Sequence, residues 1–417
     1  MTGERPLADV QAVHGYLRRI CFKTGPPGRV GAELEWLVAR RDDPRALVSI
    51  GDVISLLAEA APFPGASPVT MEPGGQVELS SLPAADLHRC HMALAADMAH
   101  LRSVLAAADL MLVPSGIDPH RGPRRQIHAP RYDAMAAYFD TLPHDLGPVM
   151  MASTAAVQVN LDAGTDAADV ARRWELLHSV GPVLSASFAN SPRQHGRLTG
   201  WKSTRQAVWL HLDPRRTQAP PAGDPASTWP EYVLAAPVMM LRTDHGPWRA
   251  APGFTFGEWV SGCVVGVAPP TEEDLDYHLS TLFPPVRPRG WFEVRYLDAQ
   301  DPQWWAVPVA VLATLLDRPE VAPRVLAACE PVAGAWVGAA RHGLADDAMA
   351  RAALTVFEAV ADAVEPASLR ATVAQFMERY VIRGRCPADD GITPADIRHD
   401  PAARKPALFP VLDQELR

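Results

Sequence analysis

Between residues 31 and 298, four short apolar runs each carry two polar or charged residues spaced two apart. They are Glu33 and Glu35 in GAELEWLV, Gln76 and Glu78 in GGQVELSS, Gln158 and Asn160 in AAVQVNLD, and Glu293 and Arg295 in WFEVRYLD. A strand alternates its side chains with period two, so each pair shares one face while neighbours such as Leu34 and Trp36 take the other. A carboxylate buried on a strand face costs several kcal/mol unless it is paired or holds a metal. Taken singly, each run reads as an edge strand with a solvated polar face; together they point to one shared site. Four carboxylates with Arg295 and flanking amides, on an antiparallel sheet, describe a cavity for a hard cation and phosphate. Oxygen donors of this kind suit Mg²⁺ or Mn²⁺ and not zinc. Such ions on carboxylates serve sites that bind ATP phosphates and neutralise charge during phosphoryl transfer.

The remaining chemistry of the chain narrows the class. Its 417 residues suffice for one large domain, and 48% hydrophobic with 21% charged residues is ordinary for a globular protein. A net charge of −9 without a basic, aromatic-interleaved cluster argues against nucleic acid as a partner. The N-terminus lacks the basic-then-apolar order of a signal peptide, and the longest apolar run, Ala306 to Leu316, is too short to span a bilayer. Five widely spaced cysteines without a CxxC read as reduced thiols in a cytoplasmic protein.

Helical spacing covers residues 7–22, about Ser49 to Ala61, and Leu82 to Leu110. It resumes at Tyr132 after the Pro- and Arg-rich connection VPSGIDPHRGPRRQIHAP, and a helix spans roughly Ala167 to Phe188. QAPPAGDPASTWP is the most loop-like stretch, and from Trp304 to about Arg383 the patterning is helical, broken at Pro319, Pro331 and Pro366. The expected class is α+β, an antiparallel sheet with helices on one side. Residues 1–302 form the catalytic sheet domain, 303–385 a helical region of the same domain, and 386–417 a Pro-rich surface tail.

The Gly-rich segments GPPGRVG (25–31) and EPGGQ (72–76) are turn formers. GRLTGWKS imitates a phosphate-binding loop, but Trp201 separates Gly200 from Lys202 and no strand–loop–helix context surrounds it. No GxGxxG occurs, so a dinucleotide fold has no support. Lys202 is one of only three lysines and sits close to Arg205; the two either clamp phosphate or carboxylate or belong to a solvated loop. His88 and His91, three apart on a helix, read as surface or capping residues.

Together the strings GAELEWLV, MEPGGQVELSS, MMASTAAVQVNLD, FANSPRQHGRLTGWKSTRQAVW and HLSTLFPPVRPRGWFEVRYLDA resemble the glutamate–cysteine ligase family of plant and proteobacterial type. The branch they most resemble is actinobacterial EgtA, which makes γ-glutamylcysteine for ergothioneine synthesis. The matches run in order from about residue 31 to 300, and the helical C-terminal third carries no such string. The resemblance implies a curved antiparallel funnel of the glutamine synthetase/guanido kinase-like catalytic fold, with helices packed around it and Mg²⁺ ions and ATP inside. It implies Glu33, Glu35, Glu78 and Glu293 as metal ligands with Gln158 as a further one, although other members use histidine near that last position. Arg205 and Arg295 would face the substrate carboxylate or the phosphates, and Gln76, Asn160, Lys202, Arg205 and Arg242 would bind substrate or nucleotide. The implied reaction is ATP-dependent ligation of L-glutamate to L-cysteine through γ-glutamyl phosphate. A related ligase with another amine acceptor and a catalytically silent metal–nucleotide regulator remain alternatives.

Overall fold

The four period-two runs pair with one another, and that pairing organises the molecule. The computed structural model describes residues 5–25, 28–243, 246–250 and 253–392. The strands are β1 (Val30–Arg40), β2 (Val69–Met71), β3 (Val77–Ser80), β4 (Leu110–Val113) and β5 (Ala156–Asp162), the short ribbons β6 (Arg193–Gln194) with β7 (Arg197–Leu198) and β8 (Met240–Leu241) with β9 (Arg249–Ala250), then β10 (Val286–Pro288) and β11 (Trp291–Asp298). The main sheet is antiparallel, in the order β10-β11-β5-β1-β3-β2, with β4 pairing the far end of β1.

The register gathers the polar residues. Glu33 lies opposite Gln158, Glu35 opposite Glu78, and Glu293 opposite Asn160. Directly opposed residues point to the same face, so all four runs present their polar side chains to one side of the sheet. The register of β11 against β5 shifts between Val294 and Leu297, so Arg295 and Tyr296 together oppose Gln158. Beyond this bulge Asp298 pairs with Ala156 and returns to the face of Glu293 and Arg295. Strict alternation from Glu293 would have sent it to the other side.

That other face is apolar. Leu34, Trp36, Val77, Leu79, Val157, Val159, Phe292 and Val294 are buried there, and the helices Leu87–Ala107 and Ala306–Leu316 pack against this part of the sheet. Every residue of Ala306–Leu316 is buried, in keeping with a sequence that is apolar all round apart from Thr314. One continuous core runs from Leu7 to Val381, so the C-terminal helices share the core of the sheet.

Helices also wall the polar face, in contrast to the expected one-sided arrangement. Pro130–Phe139, Leu146–Ser153 and Thr204–Leu212 contribute side chains to the walls around it. Other expectations shift locally. The Ala167–Phe188 helix is two helices, Ala167–Ser179 and Gly181–Ser187, because Pro182 supplies no N–H to continue the first. The long helix begins at Leu87, where Asp86 caps it, and ends at Ala107, releasing Leu110–Val113 to pair with β1. The loop-like QAPPAGDPASTWP contains a helix start: Asp224 caps Pro225–Ala235, with Pro225 in the first turn. The turn at 25–31 lies partly outside the described residues. Of the expected surface tail, Cys386, Pro387 and Ala388 are buried, with Ala388 N donating to Ala189 O at 2.9 Å; residues 393–417 lie outside the described residues.

Candidate active site

The polar face lines a solvent-open cavity of about 840 Å³. Glu33 and Glu35 from β1 and Glu78 from β3 reach it, together with Glu72 from the turn before β3. Leu34 and Trp36, fully buried on the opposite face, set the aim of the β1 pair, and Trp36 Nε1 donates to Gln300 O at 3.1 Å. The EPGG turn is fixed by its glycines. A Cβ on Gly74 would lie 2.2 Å from Ala152 O, and Gly75 has φ +92°. Across this turn Glu72 N donates to Gln76 O at 2.9 Å. Gln76 lines the cavity but spends its side chain on the turn, donating to Thr154 O at 2.8 Å and accepting from Gly74 N at 2.9 Å.

Each of the two amides of β5 links a carboxylate to an N–H donor. Gln158 Nε2 donates to Glu35 Oε1 at 2.8 Å, and its Oε1 accepts from Arg295 Nη1 at 2.5 Å. Asn160 Nδ2 donates to Glu33 Oε1 at 2.9 Å, and its Oδ1 accepts from Trp291 Nε1 at 3.0 Å. Glu78 accepts from Thr70 Oγ1 at 2.9 Å and from Ser80 Oγ at 2.8 Å. Arg295 lines the cavity with its guanidinium over the rings of Trp209 and Phe283, 5.9 and 5.8 Å from their centroids.

Burial, reinforced by charge crowding, raises the proton affinity of three of these acids. Burial pushes the Glu35 carboxyl well above the ordinary range, and the charges of Glu72 and Glu78 add to it. Burial, then Glu293 and Glu78, raise Glu33, while burial and Glu78 push Glu72 up to about 7. Glu293 behaves oppositely. Burial pushes its carboxyl up, but the guanidiniums of Arg287, Arg295 and Arg289 outweigh that and hold it at about 2. Its carboxylate, 1% exposed, accepts from Arg287 at 2.8–3.2 Å and from Arg295, with Arg289 Nη1 at 3.5 Å.

The expected site residues therefore divide. Glu33, Glu35, Glu78, Gln158, Gln76 and Arg295 line the cavity, with Asn160 bonded to Glu33 beside them; Glu293 is expected as a metal ligand but is turned into the guanidinium cluster. Arg205 lies beneath Arg295, with its Nη2 donating to Arg295 O at 2.9 Å. Two expected binders lie elsewhere. Lys202 Nζ is bonded to Asp389 at 2.5 Å. Arg242 is ion-paired to Glu273 and to Asp274, 3.0 Å away, beside a separate cavity of about 1550 Å³. Physically, both cations have found carboxylates that linear spacing does not reveal.

Sequence reasoning passed over Glu72, Arg131, Arg287 and Trp209, all lining the cavity. Two of these carried a signal. Glu72 and Gln76 flank the PGG turn, and Arg287 and Glu293 flank PRGWF, so Glu72 and Arg287 are each the hairpin partner of a residue already singled out.

Among the described residues no group of three or more His, Cys, Asp or Glu side chains is placed to hold a metal ion. The donor chemistry of the cavity still fits a hard divalent cation. Glu33, Glu35, Glu72 and Glu78 offer only oxygen, and burial together with the neighbouring carboxylates raises the proton affinity of Glu33, Glu35 and Glu72, a cost of buried negative charge that Mg²⁺ or Mn²⁺ would relieve. No helix among the described residues is long and apolar enough to cross a membrane. Four cysteines are buried and Cys263 is exposed, all as free thiols.

The family described as Glutamate-cysteine ligase family 2 matches residues 29–405, so the likeness extends through the helical C-terminal third. A glutamate–cysteine ligase EgtA of Mycolicibacterium smegmatis is 44% identical over 376 residues, 88% of this chain and 88% of the relative. EgtA of Mycobacterium tuberculosis is 43% identical over 391 residues, 92% of this chain and 90% of the relative. The chloroplastic glutamate–cysteine ligase of Brassica juncea is 34% identical over 246 residues, 56% of this chain and 46% of the plant protein. A solved glutamate–cysteine ligase (gshA) of Francisella tularensis in complex with AMP superposes with a TM-score of 0.48 at 13% identity, over 88% of this chain and 85% of that one. That likeness is too slight to bear on function.

Proposed function

The chain belongs to glutamate–cysteine ligase family 2, and on that premise we propose that it joins the γ-carboxylate of L-glutamate to the amine of L-cysteine at the expense of ATP. The observation that carries the reading is one sheet face on which Glu33, Glu35 and Glu78, with Glu72 from the adjoining turn, confront Arg295 across a single cavity. A free carboxylate is a poor electrophile, so it is first activated: a glutamate γ-oxygen attacks the γ-phosphate of ATP, giving γ-glutamyl phosphate and ADP. The cysteine amine then attacks the acyl carbon, loses its proton, and phosphate leaves.

The chain contributes position and charge. Glu33, Glu35, Glu72 and Glu78 would hold Mg²⁺, with Gln158 alongside, and the ion would neutralise the phosphates. Arg295, held by Glu293 and Gln158 and laid over Trp209, presents a fixed cation to the phosphate or the substrate carboxylate. Trp209, Phe283 and the methionines at 135, 150 and 151 supply an apolar wall that limits water, the competing nucleophile for an acyl phosphate. The product, γ-glutamylcysteine, serves ergothioneine synthesis, and the reaction runs in the cytoplasm.

The test is nucleotide product analysis with glutamate, with and without cysteine. ADP whose release is stimulated by cysteine supports the reading. AMP with pyrophosphate, stimulation only by another amine, or binding without turnover would replace it.

A further inference from the structure

The strings FANSP and WKSTRQ converge on a carboxylate outside the cavity. Asp298, 2% exposed, accepts hydrogen bonds from Asn190 N at 2.8 Å, Ser191 Oγ at 2.7 Å and Ser203 Oγ at 2.8 Å. The turn at Gly116 closes over it, where a Cβ would lie 2.5 Å from Asp298 Cγ. Burying a carboxylate this completely is costly, and three neutral donors satisfy its lone pairs without cancelling its charge.

The cancelling charge is Arg205, 3% exposed, whose Nη1 stands 3.9 Å from Asp298 Oδ1. Among the described residues, Arg205 Nε and Nη1 have no hydrogen-bond partner, so the ion pair and a single bond orient the guanidinium. That bond runs from Nη2 to Arg295 O at 2.9 Å. Arg205 and Arg295 also share the ring of Trp209, each 5.9 Å from its centroid. Ser191 Oγ, bonded to Asp298, accepts from Arg205 N at 3.1 Å, so the same carboxylate also sets the start of the helix that carries Arg205 and Trp209.

We propose that Asp298 is a positioning residue for the ligation: it holds Arg205, and through Arg205 it sets the Arg295 backbone and the Trp209 ring at the cavity wall. The β11 bulge makes this possible, because it returns Asp298 to the cavity face immediately beyond Arg295. The inference rests on the ligase reading and adds a residue that touches neither substrate nor ion. Its effect falls on kcat more than on KM, because the cavity carboxylates remain in place while the cation that meets the reacting group is misaligned.

The experiment is a double-mutant cycle in the full chain, with Asp298→Asn, Arg205→Gln and the double variant. ADP release gives kcat and KM for glutamate and ATP, and calorimetry gives Tm. Asp298→Asn is expected to lower kcat about tenfold to a hundredfold, the scale of a displacement near 1 Å, with KM little changed. In the Arg205→Gln background the same substitution should cost almost nothing further. Multiplying effects, or a lowered Tm with normal kcat, would overturn the proposal. If Asp298→Asn does not fold, Ser191→Ala and Ser203→Ala each remove one bond to the carboxylate; reduced kcat at near-normal Tm supports the role, and wild-type kcat in both overturns it. Should the wild type release no ADP, the ligase reading falls. The same cycle measured on the Kd for ATP then decides Asp298, with coupled losses supporting and additive losses overturning the role.

Discussion

Arg287 and Glu293 face each other directly across the β10–β11 hairpin, joined by contacts of 2.8, 3.0 and 3.2 Å with both groups nearly inaccessible to solvent. The pair makes Glu293 an anchor for guanidiniums. Glu293→Gln leaves Arg287 buried beside a neutral amide, and removing one partner of a buried pair typically costs about 3–5 kcal/mol. We expect a clearly lowered Tm and lowered kcat, with the Mg²⁺ concentration for half-activation near that of the wild type. A strongly weakened Mg²⁺ response in a folded Glu293→Gln variant would return this residue to the metal ligands.

Glu33, Glu35, Glu72 and Glu78 carry the opposite expectation. Glu→Gln at any one of them should lower turnover by about a hundredfold or more, several kcal/mol of transition-state stabilisation. The metal-free fold should survive, because each change removes one like charge from a crowded face. Initial rates across a Mg²⁺ titration check this; wild-type rates at saturating Mg²⁺ in two of the variants would refute the shared site.

Arg295→Lys keeps the charge but loses the planar group that bonds Gln158 and Glu293 while lying over Trp209. The expected fall in kcat/KM is about tenfold or more despite the mild change. Normal kinetics for both ATP and glutamate would withdraw Arg295 from the reaction.

The pH dependence has a definite sign. Glu72 is raised from 4.5 to about 7, and Glu33 and Glu35 are raised with it. Between those values the folded chain binds more protons than the unfolded chain, so this group of acids contributes less stability as pH rises. Because the buried His178 and His278 act in the opposite sense as they lose their unfolded-state protons, the test is the difference: between about pH 5 and about pH 8 the Tm of metal-free protein should change less favourably with rising pH than that of its Glu72→Gln variant. Mg²⁺ should restore the loss, releasing protons as it binds near neutrality; calorimetry in buffers of different ionisation enthalpy measures that release. Equal slopes in the two proteins would remove Glu72 from the crowded set.

If an acyl phosphate forms, glutamate labelled with ¹⁸O in its γ-carboxylate must pass one label into released phosphate. Mass spectrometry of the phosphate reads the outcome. Unlabelled phosphate would exclude γ-glutamyl phosphate, whichever amine serves as acceptor.

Much of this site is legible in the amino-acid sequence. Glu33 and Glu35, Gln158 and Asn160, and Glu78 lie on the face their period-two spacing predicts, because alternation is a local property of an extended backbone. Glu72 and Arg287 are legible in principle as partners across the PGG and PRG turns, since a tight turn dictates who faces whom.

The rest depends on tertiary structure, because a charged side chain is defined by the partner it meets. Lys202 and Asp389 are 187 residues apart, and Arg242 meets Glu273 and Asp274 about thirty residues on, so spacing alone could not remove either cation from the site. Glu293 has the right parity for a ligand, yet three arginines claim it. Asp298 has the wrong parity for the cavity face, yet the bulge at Arg295 and Tyr296 returns it there. From the sequence alone came the alternation, the apolar far face and the chemistry the polar face could hold, all consequences of local backbone geometry. Which charges stay available and which neutralise one another was decided by the long-range register of the sheet and the packing of loops against it.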